Sequence, residues 1–164
     1  MTDEKLYNEI QDNQAEEKHS PAETDSSQVT WLLFSAGGKT FAIDSVLVKE
    51  ILQDTETYKI PFVPSFITGI LNFYGKPYAV ADFAQLQDLP SAKKKIFLIL
   101  ETTEDYALQV DDVYDFYSSH DIVEQPLMNQ IDCGFFSKII TSNDISAPVL
   151  DVEKITEKIR ENID

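Results

Sequence analysis

The 164-residue sequence has few of the side chains on which metal and redox chemistry usually depends. Cys133 is its only cysteine, so no disulfide can form within the chain, and a zinc site built on several cysteines is excluded. The only histidines are His19 and His120, and no arginine precedes Arg160. This cysteine usage fits a reducing compartment, which predicts a cytoplasmic protein.

Positive charge is also scarce, because 13 basic residues face 29 acidic ones and the net charge is -16. Such a surface repels phosphate backbones, so we expect no nucleic-acid partner. No apolar run approaches the roughly 18 residues of a membrane span, and the amino terminus lacks the pattern of a secretion signal. We therefore expect no direct membrane insertion.

Residues 1–27 carry eight acidic side chains against two lysines and have almost no bulky apolar residue after Ile10. A segment of this kind cannot offset its ordering entropy by burial, which predicts a disordered acidic tail. The helical spacing of Leu6, Tyr7 and Ile10 leaves a short docking helix as an alternative.

Short apolar runs separated by turn residues follow the tail. Residues 31–34 and 40–43 flank Gly37-Gly38 and predict a hairpin, since paired glycines adopt the positive φ of tight connections. Strands are also predicted over 46–52 and, as a pair bracketed by Gly69 and Gly75, over 70–82. Alternation in that pair would bury Leu71 and Phe73 and turn Asn72 and Tyr74 to the opposite face.

A second set of strand signals begins after Leu89-Pro90. The predicted strands are 95–100, 106–110, 113–117, 135–140 and 147–150, with a long loop between 118 and 134. Val152, Ile155 and Ile159 then recur at helical spacing behind Asp151, a suitable cap, which predicts a closing helix over 151–162.

These signals predict a mostly β fold with one carboxy-terminal helix. The strands fall into two sets, 28–90 and 91–150, which favours two small barrels packed side by side, although periodicity alone leaves a single large sandwich open.

A search for catalytic constellations finds none with supporting context. His120 and Cys133 could form a base and nucleophile, but no third group orients them. Gly37-Gly38-Lys39-Thr40 resembles the end of a phosphate-binding loop yet opens onto a strand instead of a helix, which favours a simple turn. The adjacent pairs Asp111-Asp112 and Glu104-Asp105 point to opposite faces of a strand and are interpreted as solvated charge. We predict no enzyme activity, cofactor or metal.

An ordered series of weak motifs resembles the CheW-like family of chemotaxis coupling proteins. The segment from Gly69 to Gly75 is similar to that family's glycine-x-x-asparagine-x-arginine-glycine signature, with Tyr74 in the place of the arginine. Residues 48–51 resemble its valine-x-glutamate-isoleucine strand, residues 107–113 its glycine-leucine-x-valine-aspartate-x-valine segment, and residues 148–151 its leucine-leucine-aspartate start of the last helix. Together these motifs extend from about Trp31 to Ile155.

The resemblance implies two five-stranded Src-homology-3-like barrels within 28–164 and a non-enzymatic adaptor that couples chemoreceptors to the chemotaxis histidine kinase. The implied partners are receptor cytoplasmic tips, bound in a groove between the barrels, and the kinase regulatory domain, bound on the flank of one barrel. Such an adaptor would join membrane-associated receptor arrays only through these partners. Val48, Glu50 and Tyr74 are the implied receptor-site residues, and Tyr74 would replace a charged fork to Glu50 with one neutral hydrogen bond.

Two alternatives stay open at this point. The first is a divergent relative that keeps the scaffold but binds a different protein, which Tyr74 and the acidic tail suggest. The second is a small ligand-binding or hydrolytic barrel, which would need a pocket with convergent polar groups and a shifted ionisable residue.

Overall fold

In the computed structural model, which describes residues 28–91, 94–118, 120–127 and 134–163, the chain folds into two six-stranded sheets and a carboxy-terminal helix. The predicted tail, residues 1–27, lies outside the described residues, as does Cys133. Among the described residues, the longest helix has 12 residues, and no helix has the length and apolar composition needed to cross a membrane.

The strands are β1 (Trp31–Ala36), β2 (Lys39–Asp44), β3 (Val48–Gln53), β4 (Thr57–Tyr58), β5 (Ile67–Phe73), β6 (Lys76–Asp82), β7 (Ile96–Leu100), β8 (Tyr106–Val110), β9 (Asp112–Tyr117), β10 (Val123–Pro126), β11 (Phe136–Thr141) and β12 (Ser146–Leu150). The helices are α1 (Phe83–Leu86), α2 (Val152–Ile163) and a single 3-10 turn at Ser45–Leu47. The first sheet has the order β10-β11-β12-β2-β1-β9, and the second sheet has the order β3-β7-β8-β6-β5-β4.

Local signals in the sequence place most of these elements. The predicted hairpin is confirmed as β1 and β2, whose register sets Phe34 opposite Phe41 across positive-φ turn residues Gly37 and Gly38. The second predicted pair is confirmed as β5 and β6. Asp82 ends β6 and caps α1, because its carboxylate accepts hydrogen bonds from the amides of Ala84 and Gln85 at 3.0 and 3.3 Å.

Strands that are apolar throughout are buried on both faces. In β7, Phe97 and Ile99 point into one cluster and Leu98 points into another, as the two-residue period of a strand requires. The same partition holds in β1, where Trp31 and Leu33 lie opposite Leu32 and Phe34. A continuous apolar run of strand length therefore marks a strand with two packed faces.

Three apolar clusters result from this partition. The first-sheet cluster is Trp31, Leu33, Ala42, Ile140, Ala147 and Val149. The second-sheet cluster is Leu71, Phe73, Tyr78, Val80, Phe97, Ile99 and Ala107, with Leu52 packed against it. The central cluster is larger, joins the facing sides of both sheets to α1 and α2, and contains the contacting rings of Phe34, Phe41 and Phe83.

The mostly β class and the closing helix are confirmed, but the two five-stranded barrels are corrected to two six-stranded sheets. Within the described residues the edge strands of a sheet do not pair with each other: β3 pairs only with β7, and β4 only with β5. Leu52 of the edge strand β3 pairs with Phe97 of β7 and packs with it against the second-sheet cluster.

The two sheets also differ from the two sets of strands expected on either side of Leu89-Pro90. The second sheet is formed by β3 to β8, whereas the first sheet combines β1 and β2 with β9 to β12. The physical reason is parallel pairing between distant strands, β6 with β8 and β2 with β12, which no local turn signal announces. Two short strands, β4 and β10, were missed, and β10 lies in the predicted loop over 118–134.

The closing helix is fixed to the second sheet by a buried polar contact. The Tyr106 hydroxyl lies 3.1 Å from the Thr156 hydroxyl, which itself donates to the carbonyl of Val152 at 2.7 Å. Because Thr156 has only one hydroxyl proton, Tyr106 is the donor in this pair. Burial raises the pKa of Tyr106 to about 12, and the hydrogen bond to Thr156 opposes part of that rise.

We predict that Tyr106→Phe makes the free energy of unfolding less dependent on pH between 10 and 12. Over that window Tyr106 loses its proton in the unfolded chain but keeps it in the folded protein. The free energy of unfolding of the wild type therefore falls by up to about 1.4 kcal/mol per pH unit. At neutral pH the free energy of unfolding of the variant is lower by about 1 kcal/mol, because the hydrogen bond to Thr156 is lost. Urea denaturation from pH 7 to 12 measures both effects.

The matched control is Tyr114→Phe, which removes the hydroxyl of an exposed tyrosine on β9. The prediction is wrong if the free energy of unfolding falls equally steeply between pH 10 and 12 in the wild type, in this control and in Tyr106→Phe.

Candidate protein-binding site

The signature segment contains a two-residue hairpin turn. Gly69, Asn72 and Gly75 fix the backbone of this hairpin. Phe73 pairs with Lys76, which leaves Tyr74 and Gly75 as the turn, with φ of 49° and 83°. Two successive positive φ values are the geometry that matches the twist of a hairpin. The Asn72 side chain closes the turn by accepting a hydrogen bond from the Gly75 amide at 2.7 Å.

Gly69 has a different role at the start of the same segment. A β-carbon at this position would lie 2.5 Å from the carbonyl oxygen of Tyr58, which belongs to the neighbouring strand β4. Glycine is therefore required by close approach of two backbones. The signature residues thus shape the hairpin and its edge contact, and they leave position 74 exposed at the tip.

Tyr74 extends from this tip to β3. Its side chain is 83% exposed, and its hydroxyl donates to the Glu50 carboxylate at 3.3 Å. The ring of Tyr74 packs edge-on against Phe73 at 4.7 Å, and Phe73 belongs to the second-sheet cluster. The structure therefore brings together two of the three predicted site residues and anchors their contact to a buried side chain.

Val48 lies on the other face of β3. It packs against the central cluster, as does Ile51, whereas Leu52 packs against the second-sheet cluster on the Glu50 side. The pairing of β3 with β7 shifts register between Val48 and Glu50, and this irregularity turns residues two apart to opposite faces. Val48 and the Tyr74–Glu50 contact thus present separate surfaces.

Sequence reasoning did not identify a second exposed apolar feature, which we call the aromatic loop (residues 58–64). Phe62 is fully exposed and has φ of 60°, and Tyr58 at the edge of the second sheet is 53% exposed. Pro61 and Pro64 enclose Phe62 and restrict the backbone on both sides. The available signal was a phenylalanine between two prolines, outside any alternating strand pattern.

The glycine turn is confirmed as a turn, with its amides already in use. The amides of Gly37 and Gly38 donate to the Asp111 carboxylate, which lowers its pKa, while burial raises that pKa by more. An internal carboxylate therefore occupies the donors that a phosphate would need.

The acidic residues of the pair Glu104-Asp105 lie in the loop between β7 and β8 instead of in a strand, and each has its own cationic partner. Glu104 pairs with Arg160 at 2.8 Å, whereas Asp105 pairs with Lys76 at 2.9 Å. His120 is exposed in a turn, and its suggested partner Cys133 lies outside the described residues. In the part of the chain that the structure describes, no three His, Cys, Asp or Glu side chains converge as metal ligands.

A groove of about 640 Å³, which we call the helix groove, lies between the two sheets and α2. The groups with a raised pKa, namely Tyr58, Lys76, Tyr106 and Asp111, do not line it. Within the described residues, the groups with a raised pKa therefore give no support to a hydrolytic pocket at this groove.

Comparison with known proteins agrees with this geometry. The family model of the CheW-like domain matches residues 30–160. Among solved structures, the crystal structure of the scaffolding protein TtCheW from Thermoanaerobacter tengcongensis superposes with a TM-score of 0.65 and 26% sequence identity, covering 75% of this chain and 88% of that chain. No curated protein matches the sequence. The family match extends over both sheets and most of α2.

We predict that Gly69→Ala lowers the free energy of unfolding by about 1–3 kcal/mol, because the added methyl group would collide with the backbone carbonyl of Tyr58. Gly69 is the one glycine of the five without a positive φ, so this substitution tests close approach apart from backbone strain. Thermal and urea denaturation give the change.

The control for this substitution is Gly75→Asn, since asparagine tolerates positive φ and open space surrounds that position. If Gly69→Ala lowers the free energy of unfolding no more than Gly75→Asn does, close approach to the Tyr58 carbonyl is not the reason for glycine at position 69.

Proposed function

The chain belongs to the CheW-like family, and we propose that it is a chemotaxis scaffold that couples chemoreceptors to the chemotaxis histidine kinase. The observation that carries this proposal is the family match over residues 30–160, because it spans both sheets and the packing between them. The similarity to a scaffolding protein of known structure supports it. The protein would act in the cytoplasm by holding partners in contact, without making or breaking covalent bonds.

We propose that receptor cytoplasmic tips bind at the contact between Glu50 and Tyr74. Val48, the third residue implied by the resemblance, lies on the opposite face of β3 and would act by packing this strand against the central cluster. The contact is exposed, so its own contribution to stability is small, about 1 kcal/mol or less. Its backbone is held by the buried Phe73 and by the closed turn, so little ordering is lost on binding. A rigid, exposed aromatic side chain beside a carboxylate is suited to recognising another protein.

The kinase regulatory domain would bind the flank of the second sheet at the aromatic loop. Among the described residues Phe62 is fully exposed, and it is held in a left-handed backbone conformation, which is uncommon for a bulky residue. Strained backbone of this kind clusters at binding and switch regions, which supports a binding role for this loop. An aromatic anchor of this kind typically contributes about 2 kcal/mol or more when a partner buries it.

A second candidate function is a divergent scaffold that keeps the fold and binds a different protein. The specific observation in its favour is that Tyr74 makes one hydrogen bond to Glu50, where the family arginine would make a charged pair. The carboxylate of Glu50 therefore has no cation against it from position 74. A receptor tip that is complementary to an arginine–glutamate pair would therefore meet the uncompensated negative charge of Glu50 at this site.

We predict that Phe62→Ser weakens binding of the kinase regulatory domain at least roughly tenfold, because it removes an aromatic anchor. The fold should be unaffected, since Phe62 is fully exposed. Titration calorimetry with the purified domain measures the affinity. Val123→Ser, on the exposed edge strand β10, is the matched control. Equal affinities for the wild type and Phe62→Ser would remove the aromatic loop from the kinase interface, and no binding of either partner would contradict the coupling role.

We predict that Tyr74→Arg strengthens binding to ordinary receptor tips by roughly fivefold to tenfold, because a charged fork then replaces one neutral hydrogen bond to Glu50. Tyr74→Phe keeps the ring and removes only the hydroxyl, so it separates the loss of the hydrogen bond from the gain of charge. Binding of receptor-tip fragments is measured for the three proteins. Unchanged affinity for Tyr74→Arg would argue against the divergent-scaffold hypothesis.

A further inference from the structure

Glu50 carries a negative charge that no cation of the described chain balances. It forms no salt bridge among the described residues. Its one hydrogen bond there joins the Tyr74 hydroxyl to Oε1 at 3.3 Å, so its second carboxylate oxygen accepts nothing from these residues. Glu50 is also only partly exposed, and partial burial makes an unpaired charge less favourable than on an open surface. A cation from outside the chain would therefore be stabilised here.

The nearby lysines do not supply this cation. Lys76, two residues beyond Tyr74 in the same hairpin, pairs with Asp105 at 2.9 Å. Lys49 precedes Glu50 in sequence, but it lies at the register shift of β3, and no salt bridge joins the two residues in the described part of the chain. The charge of Glu50 is therefore available to a partner.

The ring of Tyr74 presents an aromatic face beside this carboxylate. The ring meets that of Phe73 at 4.7 Å with an interplanar angle of 73°, and such an edge contact leaves at least one face of the Tyr74 ring uncovered. Within the described residues a cation lies over an aromatic ring at Trp31, where it comes from Lys138, and not at Tyr74. A cation within about 6 Å of a tyrosine ring centroid is attracted to the face of the ring. The ring and the carboxylate thus favour the same kind of ligand.

An arginine side chain suits these two groups better than a lysine or a metal ion. The guanidinium group is planar, so it can stack on an aromatic ring while its N–H groups donate to a carboxylate, whereas the lysine ammonium is a compact, strongly hydrated point charge. A metal ion would need several ligands, and no three His, Cys, Asp or Glu side chains converge in the described part of the chain. The net charge of -16 adds a general attraction for cationic partner surfaces.

We propose that the partner surface that binds at the Tyr74–Glu50 contact supplies an arginine, which stacks on the Tyr74 ring and pairs with the Glu50 carboxylate. This inference rests on the proposed function, because it names the chemistry that the receptor-binding contact recognises. The arginine of the family signature would then come from the partner, and the ion pair with Glu50 would form between two proteins instead of within one. Tyr74 and Glu50 together would determine specificity for such a partner.

The test uses the full chain and a fluorescently labelled helical peptide, rich in alanine and glutamine, that carries one arginine between two leucines. A matched peptide carries citrulline, the neutral isostere of arginine, and another carries lysine. We expect the arginine peptide to bind at least roughly fivefold more tightly than the citrulline peptide, and the lysine peptide to fall between them. The preference for arginine should shrink as salt is added. Fluorescence anisotropy measures the affinities.

Variants of the protein locate the bound arginine. Glu50→Gln should reduce the preference for arginine over citrulline to less than about twofold, and Tyr74→Ser should reduce it in part, because the ring is lost. The matched control is Asp115→Asn on β9, which removes the same charge next to another exposed tyrosine, Tyr114. This control should leave the preference for arginine unchanged within about twofold.

The proposal is wrong if no peptide binds, if the arginine and citrulline peptides bind equally, or if Glu50→Gln and Asp115→Asn reduce the preference for arginine equally. The last result would mean that only the overall negative charge attracts the peptide. Neither receptor nor kinase takes part in this assay, whereas the coupling function is tested by binding of receptor-tip fragments and the kinase regulatory domain. Failure of one can therefore be distinguished from failure of the other.

Discussion

Burial of both faces of the inner strands is the constraint on which the rest of the structure depends. In β1, β7 and β8, alternate side chains enter a cluster belonging to one sheet and the central cluster shared by both sheets. A shift of register by one residue would exchange these two sets and leave neither cluster filled. Pairing, sheet curvature and the position of α2 are therefore fixed together, because all three must satisfy the same alternation.

This constraint also decides where function can lie. Because the interior strands use both faces for packing, the side chains that can contact a partner lie in turns, at sheet edges and on the outer surface of α2. The Tyr74–Glu50 contact joins a hairpin tip to an edge strand, and the aromatic loop borders another edge strand. Each surface is exposed but borders directly on a buried cluster, so its backbone is well fixed before any partner binds.

The sequence predicted what depends on neighbours in the chain. The glycine turns, the alternation that exposes Asn72 and the cap at Asp151 follow from local geometry, and the structure has all of them. The assignment of strands to sheets depends instead on the parallel pairs of β6 with β8 and β2 with β12, which are distant in sequence. Periodicity carries no information about such pairs, so the strands were grouped by their order in the chain.

The candidate site shows the same division. Pairing of positions 50 and 74 was implied by family resemblance, because no local rule relates residues separated by 24 positions, and the hydrogen bond between them is seen only in the folded chain. Val48 was expected beside them, but the register shift in β3 turns it to the other face. Bulges depend on how two strands fit together, so one strand's sequence does not reveal them.

Position 74 can change its chemistry without disturbing the hairpin that presents it. Gly69, Asn72 and Gly75 fix the backbone through close approach, a side-chain hydrogen bond and positive φ, and none of these depends on the side chain at the tip. An arginine there would neutralise Glu50, whereas the phenol of Tyr74 leaves the carboxylate's charge in place. One substitution thus converts a neutral contact surface into an acidic one at little cost in stability. Partner preference can therefore diverge within an unchanged fold.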